Sequence, residues 1–225
     1  MTVHPAPATA ADAAVRPHAV VAALREEVLS LALTPGTAVT EAFVARTYDV
    51  ARPTARIAID RLVAEGLLVR EPHHAAEVRR LDRDDIDDLF VARAAIEVAA
   101  VELLATSGVV PDQADVAHRE LLGLPADAPY APSDITFHQS LVRGTRSSRL
   151  PRLHDLLMGE IELGIAQVEA HRLRSVAEVG AEHQGILAAI TAGDVALATD
   201  LTRAHVLASR DLLVAHYDTQ HESRS

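Results

Sequence analysis

Apolar residues recur at helical spacing along most of this chain. Val20, Val21, Leu24, Val28, Leu29 and Leu31 form one stripe, which predicts a helix over 17–33. Thr34-Pro35-Gly36 ends it with a turn. A short helix is expected from Thr40 to Tyr48, with Thr40 as its N-cap. Ala55, Ala58, Ile59 and Leu62 keep i, i+3, i+4, i+7 spacing and predict a third helix over 52–65. Gly66 stands where a C′ glycine would close it. Two short extended segments follow, 67–70 and 77–80, with Glu71-Pro72-His73-His74-Ala75-Ala76 as the tip between them.

After Leu81 the pattern is helical throughout. Helices are expected near 83–107, 111–122, 132–143, 148–169, 173–192 and 194–217, with breaks at Gly108/Pro111, Gly123 to Pro132, Gly144 and Gly193. The fold class is therefore mainly α. Three helices and a β-hairpin make an N-terminal winged helix-turn-helix over 16–80. An all-α antiparallel bundle of about six helices fills 81–220. Residues 1–15 are rich in Ala, Pro and Thr without periodicity and read as a flexible tail.

Charge divides the chain at the same place. The 225 residues carry a net charge of −11, which taken whole argues against nucleic acid. Every basic residue is arginine. Residues 1–80 hold nine Arg and nine acidic residues and sum to zero, so all of the excess lies after residue 80. The asymmetry suggests two modules with different partners. Cysteine is absent, which excludes disulfides, thiolate metal sites and a cysteine nucleophile, and suits a reducing cytoplasm. No apolar run is long enough for a membrane span, and no signal peptide is evident, so a cytoplasmic protein without a membrane partner is expected.

Arg52 and Arg56 are four apart and share a helical face opposite Ala55, Ile59 and Leu62. Two guanidinium groups at the N-terminal end of such a helix suit the major groove, where arginine bonds guanine or holds phosphate. Thr54 is placed for a phosphate or a thymine methyl. Taken alone, the same pair also fits a solvated surface. The run Leu33-Thr34-Pro35-Gly36, Glu41, Val44-Ala45, Val50-Ala51-Arg52, Arg56, Ala58-Ile59, Arg61-Leu62 and Glu65-Gly66-Leu67 resembles the GntR-family winged helix. That resemblance implies that Arg52 and Arg56 are the recognition-helix contacts. Ala51 stands where the family usually has a capping serine, and Pro53 comes one position early. His73 and His74 occupy a wing tip that usually holds glycine, and from there they would reach phosphate.

The second module carries a different constellation. Asp134 and His138 are four apart on one helix and can share an ion. His183 lies on the stripe of Val176, Val179, Ile186, Leu187 and Ile190, and His205 on that of Ala198, Leu201, Ala208 and Leu212. Singly, each histidine fits a core or surface role. Together, several inward polar groups would be costly without a shared partner. His118, His154, His171 and His216 show no such pattern and read as surface or structural. Arg93 and Glu97 fall on the seam of Ile86, Phe90, Ala100 and Leu104, either as a buried ion pair or with Arg93 facing a pocket for an anion.

The motifs Arg93-x-x-Ile96-Glu97, Asp134-x-x-Phe137-His138, Glu182-His183-x-x-Ile186 and His205 resemble the FadR C-terminal ligand-binding (FCD) domain of GntR regulators. The resemblance implies that Asp134, His138, His183 and His205 hold a divalent ion. Three imidazoles and a carboxylate suit Zn, Ni or Mn. An octahedral ion would keep two positions for water or a carboxylate.

Two functional classes follow. The first is a transcriptional regulator, by default a repressor. It would bind a palindromic double-stranded DNA operator as a homodimer and sense a small carboxylate effector through Arg93, Glu97 and the metal. The alternative is a metal-dependent enzyme acting on a small carboxylate, with Glu97 or Glu182 as base. A DNA-reading head has no place in that alternative.

Overall fold

The computed structural model describes residues 10–222. The chain divides into two compact units, Met1–Arg80 and Leu81–Ser225. The tail expected over 1–15 lies outside the described residues as far as residue 9. From Ala10 the backbone is already helical, so the first helix begins earlier than the stripe at 17–33 predicts. Alanine-rich sequence has high helix propensity without any apolar stripe.

The first unit contains α1 (Ala10–Leu29), β1 (Ala38–Val39), α2 (Glu41–Thr47), α3 (Arg52–Ala64), β2 (Leu68–Val69) and β3 (Ala76–Val78). Val20, Leu24 and Val28 of α1 are buried, as are Ala55, Ala58, Ile59 and Leu62 of α3. The two helices pack together, and Arg25 Nη1 bonds Glu65 Oε2 at 2.9 Å across them. Thr40 caps α2, its hydroxyl accepting the Phe43 N–H at 3.0 Å. Gly66 ends α3 at φ +80°, where a left-handed residue lets Leu67 N–H return to the Leu62 carbonyl at 3.0 Å.

The sheet is antiparallel with order β1-β3-β2, pairing Ala38 with Glu77 and Leu68 with Val78. The hairpin of the wing is thus joined by a third strand, β1, that the hydrophobic pattern did not announce. Two residues are too few to show alternation, and β1 exists because the β3 edge pairs with it.

The second unit is helical: α4 (Arg83–Ser107), α5 (Asp112–Leu122), α6 (Ala131–Arg143), α7 (Leu150–Ala170), α8 (Val176–Ala192) and α9 (Val195–Glu222). The acidic run at 82–85 is a capping box, with Asp82 and Asp85 each accepting the other's backbone N–H at 2.8 and 3.1 Å. Ser175 and Glu178 make the same device at the start of α8. Gly193, at φ +70°, turns the chain from α8 into α9.

α4 packs along α9, and α6 against α5 and α7. Phe137, Leu141, Ile186, Ile190 and Ala198 meet in one apolar cluster. The inward line of α9 differs from the stripe read in its sequence. It runs through Ala198, Thr202, His205, Val206, Ser209 and Leu213, while Leu212 is exposed. The reason is polar: Thr202 satisfies its hydroxyl on the Ala198 carbonyl at 2.8 Å, and Ser209 meets Arg174, so both face inward at little cost. Among the described residues no helix is long and apolar enough to cross a membrane.

Candidate functional site

In the first unit the buried line of α3 leaves Arg52, Arg56, Ile57 and Asp60 facing out. Thr54 is half-buried beside them. Arg56 Nε lies 3.7 Å from Asp60 Oδ2, and Arg70 Nη1 bonds Asp60 Oδ1 at 2.7 Å. One carboxylate therefore ties α3 to the wing. Ala51 stands at the N-cap of α3 and makes no side-chain cap bond.

The wing tip turns at Pro72 and His73, where His74 N–H returns to the Glu71 carbonyl at 3.1 Å. His73 sits at φ +67°, the left-handed place that proline-then-glycine type II turns usually give to glycine. His74 Nδ1 is 3.0 Å from the Pro72 carbonyl. His73, His74, Arg56 and Arg70 border one groove of about 550 Å³. The structure thus gathers Arg56 with both wing histidines, while Arg52 lies outside that groove. Ile57, 54% exposed on the same helix, escaped the sequence reading. An apolar group set outward next to Arg56 suits a thymine methyl.

In the second unit, Asp134 and His138 on α6, His183 on α8 and His205 on α9 converge. Each offers one ligand atom, and these atoms all lie within 4.8 Å of one another. His138 Nε2 is 3.0 Å from His205 Nε2, and His183 Nε2 is 3.2 Å from Asp134 Oδ1. All four residues are buried.

The imidazoles are aimed by their surroundings. His138 Nδ1 stands 2.7 Å from Glu97 Oε2, and His205 Nδ1 bonds Glu182 Oε2 at 2.6 Å. A carboxylate beside Nδ1 favours the proton there, which would leave each Nε2 free to offer a lone pair. His183 has no hydrogen bond at either nitrogen; its ring lies flat on Phe137, centroids 3.7 Å apart. Burial pushes its pKa down to about 3, so it is neutral near pH 7. Burial likewise lowers that of His205. Burial works against the Asp134 carboxylate, but the surrounding histidines hold its pKa well below the usual range.

Two ring nitrogens, Nε2 of His138 and of His205, face each other at 3.0 Å, and the third imidazole, His183, has only the Asp134 carboxylate beside its Nε2. Nitrogen ligands at right angles around an ion with bonds of about 2.1 Å would stand about 3.0 Å apart. The donor set therefore fits a divalent ion, and this cluster could hold one.

Arg93 and Glu97 resolve as the buried ion pair, Nε to Oε1 at 2.7 Å. The second possibility also remains on the structure, because Arg93 Nη2 is buried without a partner. Burial opposes the Glu97 charge, yet Arg93, His138 and His154 hold its pKa well below the ordinary value. His154 is a member of this network that sequence reading placed as surface or structural: it is buried, with Nε2 3.2 Å from Glu97 Oε1. Its signal was the buried line His154, Met158, Ile161 and Ile165 of α7. His118 is buried too, bonded to Gln184 at 3.1 Å. His171 and His216 stack on each other, and neither belongs to the group of four ligands.

Comparison with known proteins divides the chain in the same way. Residues 88–208 match the FCD domain, and residues 18–78 match the bacterial regulatory proteins of the gntR family. A relative from Streptomyces ambofaciens, described as an uncharacterized HTH-type transcriptional regulator in unstable DNA locus, is 29% identical over 200 residues. The alignment covers 84% of this chain and 80% of that protein. Two solved structures share the fold. One, a GntR transcriptional regulator from Rhodococcus sp. RHA1, has a TM-score of 0.65 at 24% identity, covering 88% of this chain and 98% of its own. The other, E. coli McbR/YncC, has a TM-score of 0.65 at 19% identity, covering 92% and 98%.

Proposed function

The chain belongs to the gntR family of bacterial regulatory proteins, in the branch that carries an FCD domain, and from that membership we propose a cytoplasmic, homodimeric repressor that releases its operator on binding a small carboxylate beside a divalent metal. It is a transcriptional regulator and not an enzyme. The finer reading assigns Arg52, Thr54, Arg56, His73 and His74 to DNA, Asp134, His138, His183 and His205 to the metal, and Arg93 with Glu97 to the effector. One observation carries it: an unpartnered guanidinium nitrogen of Arg93 and a cluster of four metal-type ligands lie in the same buried bundle.

Zinc, nickel and manganese all suit the donor set. Such an ion supplies positive charge and open coordination positions to an oxygen ligand. The chain's own residues do the rest. Glu97 and Glu182 orient His138 and His205, and Arg93 offers Nη2 to an anion. A dimer presents two recognition helices to a palindrome. The effector acts only as far as its affinity differs between the DNA-bound and free arrangements. Fluorescence anisotropy on DNA selected from a random pool, with and without zinc and a panel of small carboxylates, tests this reading. Metal-dependent release by at least one acid is expected. Binding that ignores every acid and metal would remove the sensing half.

A further inference from the structure

Asp60 sets a carboxylate on the face of α3 that holds Arg56. Arg52, Arg56 and Asp60 follow one another at i, i+4, i+8 and form one outward line along the helix. Beside a phosphate backbone a carboxylate costs affinity whatever the sequence. The packing of α3 does not call for it. Its buried line runs through Ala55, Ala58, Ile59 and Leu62, and the Asp60 side chain is 48% exposed.

The two oxygens of Asp60 are divided between two arginines. Oδ1 accepts from Arg70 Nη1 at 2.7 Å, and Oδ2 lies 3.7 Å from Arg56 Nε. Arg70 follows β2 at the base of the wing and is the less exposed of the two, 33% against 68% for Arg56. The carboxylate is thus pinned from the wing, and its second oxygen stands at the Nε edge of Arg56. The Nη1–Nη2 end of Arg56 makes no hydrogen bond among the described residues. An arginine on an open surface samples many rotamers, and its fork can serve any phosphate it meets. Bidentate reading of guanine O6 and N7 demands more, because the plane and direction of the fork must both be set. A carboxylate at the Nε edge restricts both and leaves the Nη1–Nη2 end as the free fork. It also repels a phosphate that would approach the same edge.

We infer that Asp60 is the positioning residue that commits Arg56 to a guanine base and not to the phosphate backbone. The inference rests on the reading that α3 presents Arg56 to DNA. It settles for Arg56 the choice between guanine and phosphate that the residue pattern leaves open. Two consequences follow, and they have opposite signs. Removing the charge of Asp60 removes repulsion from nearby phosphates, so affinity for unrelated DNA rises. It also frees the Arg56 fork, so the preference for guanine falls. A residue that served only the stability of α3 would move both in one direction or move neither.

The test measures the full chain by fluorescence anisotropy on three kinds of DNA. These are the duplex that the wild type selects from a random pool, the same duplex with 7-deazaguanine at each guanine in turn, and a scrambled duplex of the same composition. Deazaguanine lacks the N7 acceptor and keeps its base pairing. At one guanine it costs the wild type about fivefold or more in affinity, and costs Arg56→Ala nothing. In Asp60→Asn that penalty shrinks by about threefold or more, while binding to the scrambled duplex tightens by about twofold. A full penalty in Asp60→Asn, or selected and scrambled duplexes weakened together, overturns the proposal. So does an Arg56→Ala chain that loses equally on every duplex and keeps the deazaguanine penalty, which leaves Arg56 on phosphate and its contact with DNA intact. Wild-type affinity of Arg56→Ala on every duplex removes the contact reading itself.

Discussion

His138 and His205 face each other through Nε2 atoms 3.0 Å apart, and each has its other ring nitrogen against a glutamate, Glu97 or Glu182. With the proton of each ring on Nδ1, the arrangement points two lone pairs at one place. A proton or a metal ion is required there to offset the repulsion, and Asp134 and His183 complete the donor set on the side of the metal.

Removing a ligand tests that directly. His183→Ala and His205→Ala should each lower the divalent metal content measured by elemental analysis and reduce the rise in melting temperature on adding zinc. Wild-type protein prepared without chelator that carries no divalent metal, and is not stabilised by any, would end the metal assignment.

The two glutamates should behave differently. Glu97 is fully buried between Arg93, His138 and His154. Glu97→Gln should weaken zinc binding about 10- to 100-fold and also destabilise the chain by about 3 kcal/mol. Glu182 is 40% exposed at its side chain, so Glu182→Gln should weaken zinc binding with a stability change within about 1 kcal/mol. Equal melting temperatures for the two variants would contradict the structural distinction.

On the recognition helix, Arg52→Ala and Arg56→Ala should each weaken binding to selected DNA by about 1–3 kcal/mol, with helical content by circular dichroism unchanged. Ile57→Ala should relax preference for thymine at one position while leaving affinity for non-specific DNA alone. Wild-type affinity in both arginine variants would remove the contact assignment.

The missing cap of α3 predicts a gain. Ala51→Ser puts a hydroxyl at an extended N-cap, φ −66° and ψ 148°, where it can accept an orphan N–H. The first unit should become more stable by about 1 kcal/mol, read as a later denaturation midpoint. A lowered midpoint would mean that Pro53 prevents capping.

Arg93→Ala should reduce the response to effector more than the affinity for DNA, measured as the ratio of DNA affinities with and without acid. Equal losses in both would assign Arg93 to scaffolding alone.

Much of this architecture was legible because periodicity and punctuation agree. The helices after Leu81 follow apolar stripes broken at Gly108, Gly123, Gly144 and Gly193. Thr40 and Gly66 announce ends that the structure places within a residue or two. What escaped depends on contacts distant in sequence. β1 forms only because β3 offers an edge. His154 faces inward because Glu97, 57 positions away, receives it. The inward line of α9 runs through Thr202 and Ser209, and a reading that follows only apolar residues slides off it onto Leu212.

The four ligands come from α6, α8 and α9, and Asp134 and His205 are separated by about half of the second unit's length. An ion held among them is a removable cross-link that closes a long loop, and such closures restrict the unfolded chain. Without it α9 is held by its packing on α4, α7 and α8 alone; with it α6, α8 and α9 would open only together. Metal supply would then govern the protein's half-life against proteases as well as its response to a signal, so that a cell starved of the ion would lose the regulator itself.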